Sequence, residues 1–166
     1  SVDPVYTGVA VADVAAATTD NDAAGVSVTP TSGLVTTEAG GTATFTVVLT
    51  SEPTADVTVG VSTSDATEGA VSPASLTFTA ATWHAPHTVT VSGVDDVAAD
   101  GAVGFSIVTA AAVSADAAYL GLDASVVSDS SSDNDAAGIT VIPTSGLSVD
   151  EAGATATFTV VLASQP

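Results

Sequence analysis

The sequence predicts an all-β fold, a seven-stranded antiparallel Ig-like sandwich repeated in tandem, and three observations carry that expectation. Apolar residues alternate with Thr and Ser in short runs along the whole chain. No stretch carries a convincing amphipathic-helix pattern. Residues 20–53 return as residues 133–166 with 25 of 34 positions identical, and Gly25 matching Gly138 gives a period of 138 − 25 = 113. Asp3 and Tyr6 fall on Asp116 and Tyr119 at the same offset. A period of that length is too long for a solenoid unit and suits a self-contained domain strung along a longer polypeptide.

The strands follow in order. A split first strand spans 26–29 and 34–37 around the turn-forming Pro30-Thr31-Ser32-Gly33. From Thr42 to Thr50 the alternation is strict, with Ala43, Phe45, Val47 and Leu49 on one face and mostly Thr on the other. Val57, Val59 and Val61 alternate within 56–63, and Leu76 and Phe78 within 75–79. Val89 and Val91 do so within 87–93, and Val103, Phe105 and Ile107 within 102–109. A last strand near 125–131 leads into Asp133-Asn134-Asp135, and the Ala-rich stretch 109–118 reads as a loop. Seven short strands rich in Val and Thr make a two-sheet sandwich. One complete repeat then runs over 23–135. Residues 1–22 supply the closing strand of a preceding repeat, and 136–166 the first two strands of a following one. Such flanks cannot close a core and are expected to seek strands from neighbouring repeats or neighbouring copies.

Composition narrows the function. The chain has no Lys or Arg against 19 Asp plus Glu, a formal charge of −19, yet it is 46% apolar, so it is expected to fold. Without basic side chains its carboxylates find no salt bridges, and divalent cations are the missing partner. The same lack argues against nucleic acid and anionic lipid as partners. There is no Cys, hence no disulfide or thiol nucleophile, and an acidic extracellular module would need another staple such as calcium. No apolar stretch is long enough to span a membrane, which places any secretion signal or anchor outside these residues. A bacterial cell-surface or secreted protein fits best.

In a sandwich with an odd number of strands, the loops after the first, third and fifth strands and the end of the seventh share one pole. Here these carry Glu38, then Asp65 and Glu68, then Asp95, Asp96 and Asp100, then Asp133, Asn134 and Asp135. Eight carboxylates and an amide would repel one another if bare, whereas Ca²⁺ takes about 6–8 oxygen ligands and reverses the sign of the interaction. The alternative is that these residues only make turns and a solubilising surface. The contiguous Asp-rich loop of an EF-hand is absent.

Four segments resemble the Calx-beta family, and in particular the long Calx-beta-like repeats of giant bacterial surface adhesins. They are Glu38-Ala39-Gly40-Gly41-Thr42, Ser75-Leu76-Thr77-Phe78, Thr88-Val89-Thr90-Val91 leading to Val94-Asp95-Asp96, and Asp133-Asn134-Asp135. The resemblance implies Ca²⁺ at the pole facing the next domain, with Glu38, Asp95, Asp96 and the closing triplet at matching positions and Asp65 or Glu68 a looser match. The sequence departs from the family at Val97-Ala98-Ala99-Asp100-Gly101, where a fuller acidic run is usual, so fewer ions or weaker sites are expected. Asp20, Asn21, Asp22 and Glu151 are equivalents in the flanks that lack most of their loop partners.

Other chemistries find less support. Trp83-His84-Ala85-Pro86-His87 is the one histidine cluster, but Pro86 opposes a helix that would align the rings, and no acid or Cys is adjacent. Aromatics are too few for a sugar-stacking platform, the outward Thr rows are what any solvent-facing sheet prefers, and Ser, His and Asp occur without catalytic spacing. The expectation is a non-enzymatic, calcium-stiffened structural extender repeat of a large secreted or cell-surface adhesin, its partners the neighbouring repeats. Alternatives are a subunit repeat of an extracellular filament or surface layer, and a glycan or protein recognition module.

Overall fold

Strand alternation becomes a sandwich most plainly at β3 (Thr42–Leu49), where Phe45, Val47 and Leu49 turn inward and are buried while Thr44 points out. The computed structural model describes residues 2–165. One sheet has the order β1 (Val26–Thr29), β3, β7 (His87–Gly93), β5 (Gly69–Ser72). The other runs β2 (Leu34–Thr37), β10 (Val127–Ser132), β8 (Val103–Thr109), β4 (Val57–Thr63), β6 (Ser75–Phe78), with the two-residue β9 (Val113–Ser114) also on β4. Register places Phe45 opposite Val89 and Val59 opposite Leu76, so β-branched and aromatic side chains meet across strands and between sheets.

Each of the seven expected strand segments is a strand, with three corrections. The halves of the split first strand separate: β1 joins the first sheet, and β2 crosses at the cis Thr29-Pro30 bond to pair with β10 in parallel. The sandwich is therefore not wholly antiparallel. β5, unforeseen, pairs with β7 from Gly69 opposite Gly93 to Ser72 opposite Thr90, and the chain crosses at cis Ser72-Pro73 into β6. Both flanks of the sandwich are thus closed by a segment that changes sheets, which covers the edges. The stretch 109–118 is not only loop, since it contains β9. It leads to Tyr119, which is buried and whose hydroxyl donates to the Ser51 carbonyl at 2.6 Å while the Ser51 amide donates to it at 3.1 Å. Trp83 lies half-buried in the turn before β7, its carbonyl accepting from the Leu49 amide.

After residue 136 the chain forms a separate hairpin, β11 (Ile139–Ile142) with β12 (Thr159–Leu162). Residues 9–25 form no strand. Among the described residues the sole carboxylate within a strand is Asp129, which faces inward with Ser131 beside Thr36, and all three are buried. Every outward strand position is uncharged, so the carboxylates gather at the two ends of the sandwich. No helix among these residues is long and apolar enough to cross a membrane.

Candidate metal centre

The acidic end is built on glycine turns. Glu38 follows β2, its amide donating to the Ser132 carbonyl at 3.1 Å, and the chain reverses through Gly40 at φ 83° so that Gly41 bonds back to Thr37. Gly93, at the end of β7, packs directly on the Thr37 carbonyl where any side chain would collide, and its amide donates to the Gly41 carbonyl at 3.0 Å. The Glu38 turn is therefore held against the start of the loop carrying Asp95 and Asp96. On the other side, the Val94 amide donates to the Glu68 carbonyl.

Two groups of carboxylates place an oxygen from each member within 4.8 Å of the others: Glu38 with Glu68 and Asp96, and Glu38 with Asp100 and Asp133. Glu38 belongs to both. It is 2% exposed and Glu68 is 4% exposed, depths at which Asp and Glu are rarely found unpaired. Glu68 Oε2 is buried with no hydrogen-bond partner, as is Asp135 Oδ2. A buried oxygen without a donor costs about 1–3 kcal/mol, more when charged, so these atoms mark a place where something positive is owed.

The remaining members differ. Asp65 makes its own turn, its Oδ1 accepting from the Thr67 amide at 3.0 Å and hydroxyl at 2.6 Å, and it joins neither group. Asp95 and Asn134 hold each other at the rim, Asn134 Nδ2 donating to Asp95 Oδ1 at 2.9 Å. Asp133 ties the end of β10 to the loop, accepting from the Gly101 amide at 2.8 Å and the Asp135 amide at 2.6 Å. Asp96 Oδ1 accepts from the Ala98 amide at 2.7 Å.

The titration directions follow these surroundings. Burial pushes the Glu38 carboxyl up, against the Asn134 amide that pulls it down, with Asp133, Asp96 and Asp100 adding repulsion. Glu68 is raised by burial first and then by Asp100, Asp65, Glu38 and Asp96. Asp135 is raised by burial and by Asp133, Asp95 and Asp96. Asp65 is lowered by the Thr67 hydroxyl and amide, and Asp133 by the Asp135 and Gly101 amides. The same end of the sandwich therefore carries both anchored and repelled carboxylates. The donor set is all oxygen, with no nitrogen or sulfur ligand in either group, which fits a hard cation of the calcium type and not a soft transition metal. The sequence could name these residues but not the depth of Glu38 and Glu68, whose neighbours in the chain, Thr37 and Gly69, sit in close contact with Gly93 and Phe105.

No protein-family model matches the chain, and no curated protein matches it. Solved structures do. The ASH/PapD-like domain 7 of human CEP192 superposes with TM-score 0.50 at 11% identity, covering 77% of this chain and 98% of that one. The apo form of the Calx CBD1 domain gives 0.49 at 15% identity, covering 66% and 98%. SSP-19, an MSP-domain-like protein of Caenorhabditis elegans, gives 0.43 at 15% identity, covering 64% and 97%. At such identities a likeness speaks to fold alone, and the first of these places the chain among Ig-like β-sandwich domains.

Proposed function

We propose that this sandwich is a calcium-stiffened extender repeat of a large secreted or cell-surface adhesin, related to the Calx-beta-like repeats its motifs resemble. It has no catalytic role, and its partners are the neighbouring repeats. The observation that carries the reading is Glu68, a buried carboxylate that leaves one oxygen without a hydrogen-bond partner and places an oxygen within 4.8 Å of oxygens of Glu38 and Asp96. Glu38, Glu68, Asp96, Asp100 and Asp133 would hold the cation, with Asp95, Asn134 and Asp135 closing the rim and Asp65 shaping its turn. Bound Ca²⁺ would supply the positive charge that the missing Lys and Arg do not. Because Asp133–Asp135 lies between the sandwich and the following residues, holding it to the loops restrains the bend between them. With dissociation constants of about 10⁻⁴–10⁻³ M for extracellular-type sites, 1 mM Ca²⁺ adds roughly 0.4–1.4 kcal/mol per site by mass action.

Thermal unfolding of the whole chain tests this, in chelator, in millimolar Ca²⁺ and in Mg²⁺ at equal ionic strength. A calcium-specific rise in Tm is expected, most of it lost in Glu38→Gln because both carboxylate groups share that residue. Equal melting in all three solutions would reduce the carboxylates to a solubilising surface. A second reading, a subunit repeat of an extracellular filament or surface layer, draws support from the exposed apolar residues of β11 and β12. Calcium-dependent growth of particles in sedimentation would favour it over the monomeric extender.

A further inference from the structure

We propose that the uncharged segment Val97-Ala98-Ala99 is a docking strip on which the next unit of the chain seats through its main chain, with or without calcium. The inference rests on the tandem-repeat reading for the identity of the partner, and not on the metal centre. The Gln165 amide donates to the Val97 carbonyl at 2.6 Å, and Ala98 and Gln165 form a parallel bridge. Around this contact Ala99 joins Ala137, Gly138, Ile139, Leu162 and Ser164 in lining a cavity of about 420 Å³.

The chemistry of the loop explains the choice of residues. Asp95 and Asp96 precede the strip and Asp100 follows it, so these three are its only uncharged stretch between the acids. A carboxylate there would face the arriving chain with no basic residue anywhere to compensate it. Two alanines also let one backbone approach another, which is how an added strand is recognised without demands on its side chains. Position 165 is Gln and its counterpart one period earlier is Glu52, two side chains of the same length that leave the main-chain donor unchanged. Ser51 and Glu52 lie at the far end of β3 from Glu38, and Glu52 is exposed. One repeat therefore carries the strip at one end and its complement at the other, a head-to-tail arrangement that does not close on itself.

Amide exchange and ¹⁵N relaxation on the full 166-residue chain, in chelator and in millimolar Ca²⁺, test the joint. The Gln165 amide should exchange at least about tenfold slower than an unstructured amide in both solutions, and the β11–β12 hairpin should tumble with the sandwich. Gln165→Pro removes the donor and should release the hairpin while leaving Ile139 paired with Leu162. Gln165→Glu keeps the donor and should keep the protection. An unprotected Gln165 amide in both solutions, or protection only in calcium, overturns the proposal. Protection in both together with a calcium-insensitive Tm would leave the joint standing and sink the calcium reading.

Discussion

Residues 23–53 and 136–166 have nearly the same sequence and very different fates. In both, the hairpin register is the same, Val26 opposite Leu49 and Ile139 opposite Leu162. Both turn through a cis-proline, and Gly33 and Gly146 share a positive φ of 79° and 81°. Thr37 Oγ1 accepts from the Gly41 amide at 3.0 Å, and Asp150 Oδ1 accepts from the Ala154 amide at the same distance. Yet Phe45 is 1% exposed and its counterpart Phe158 is 58% exposed. Segments 147–150 and 155–158, the matches of β2 and the first half of β3, form no strand. Turns and the β1–β3 pairing are thus written locally. The rest of that stretch exists only where β7 and β10 lie alongside to complete the ladder.

The strongest way to sharpen this contrast is to make one change in both copies. Phe45→Ala should cost about 3–5 kcal/mol of stability, the usual loss for an aromatic removed from a core, whereas Phe158→Ala should leave the main denaturant transition within about 0.5 kcal/mol of the parent. Equal effects would mean that the second copy is packed after all.

Protons probe the same contrast at the acidic end. Glu38, Glu68 and Asp135 are raised in the fold, so each costs stability at neutral pH, and the cost disappears as pH falls through the folded value. Asp65, Asp116 and Asp133 are lowered, and their contribution is lost only at more acid pH, as they in turn take up protons. In chelator, Tm should therefore rise as pH falls from neutral through the raised folded values, and fall again below the ordinary carboxylate range of about 4. In calcium it should fall throughout, because protons compete with the ion. Glu38→Gln should flatten the rise, and Glu151→Gln, its exposed counterpart, should leave it intact.

The smallest effect concerns Asp129, raised by burial against the pull of the Ser130 amide and of Thr36. Its match one period earlier is Ala16, so the carboxylate is not a requirement of the position. Asp129→Asn should stabilise the sandwich by about 1 kcal/mol at pH 7, with the gain vanishing in acid as Asp129 itself becomes neutral. Urea titrations at two pH values would measure both numbers.

What the sequence made legible follows the same division. Period-two alternation exposed every long strand, because Val, Phe and Leu must face inward whatever their neighbours. β5 escaped because Gly69-Ala70-Val71-Ser72 has one large apolar residue, and its strand character comes from pairing with β7. The acidic end was legible as a list of loop residues, since chain topology alone sends those loops to one pole. Its internal ranking was not: Asp65 closes its own turn while Glu38 and Glu68 sink into the sandwich, and that depends on Gly93 and Gly69 leaving room for Thr37 and Phe105. The inward Asp129 hides within Val-Ser-Asp-Ser-Ser-Ser, which reads as the polar tail of a strand.

The uncharged outer faces of the sheets have an electrical meaning. The eight residues of β3 span about 27 Å, roughly three times the screening length of about 8 Å in physiological salt. One end of the molecule holds Glu38 and its neighbours, the other Glu52 and Asp116, and the shaft between is an insulator. A change of charge at one pole is therefore screened from the other.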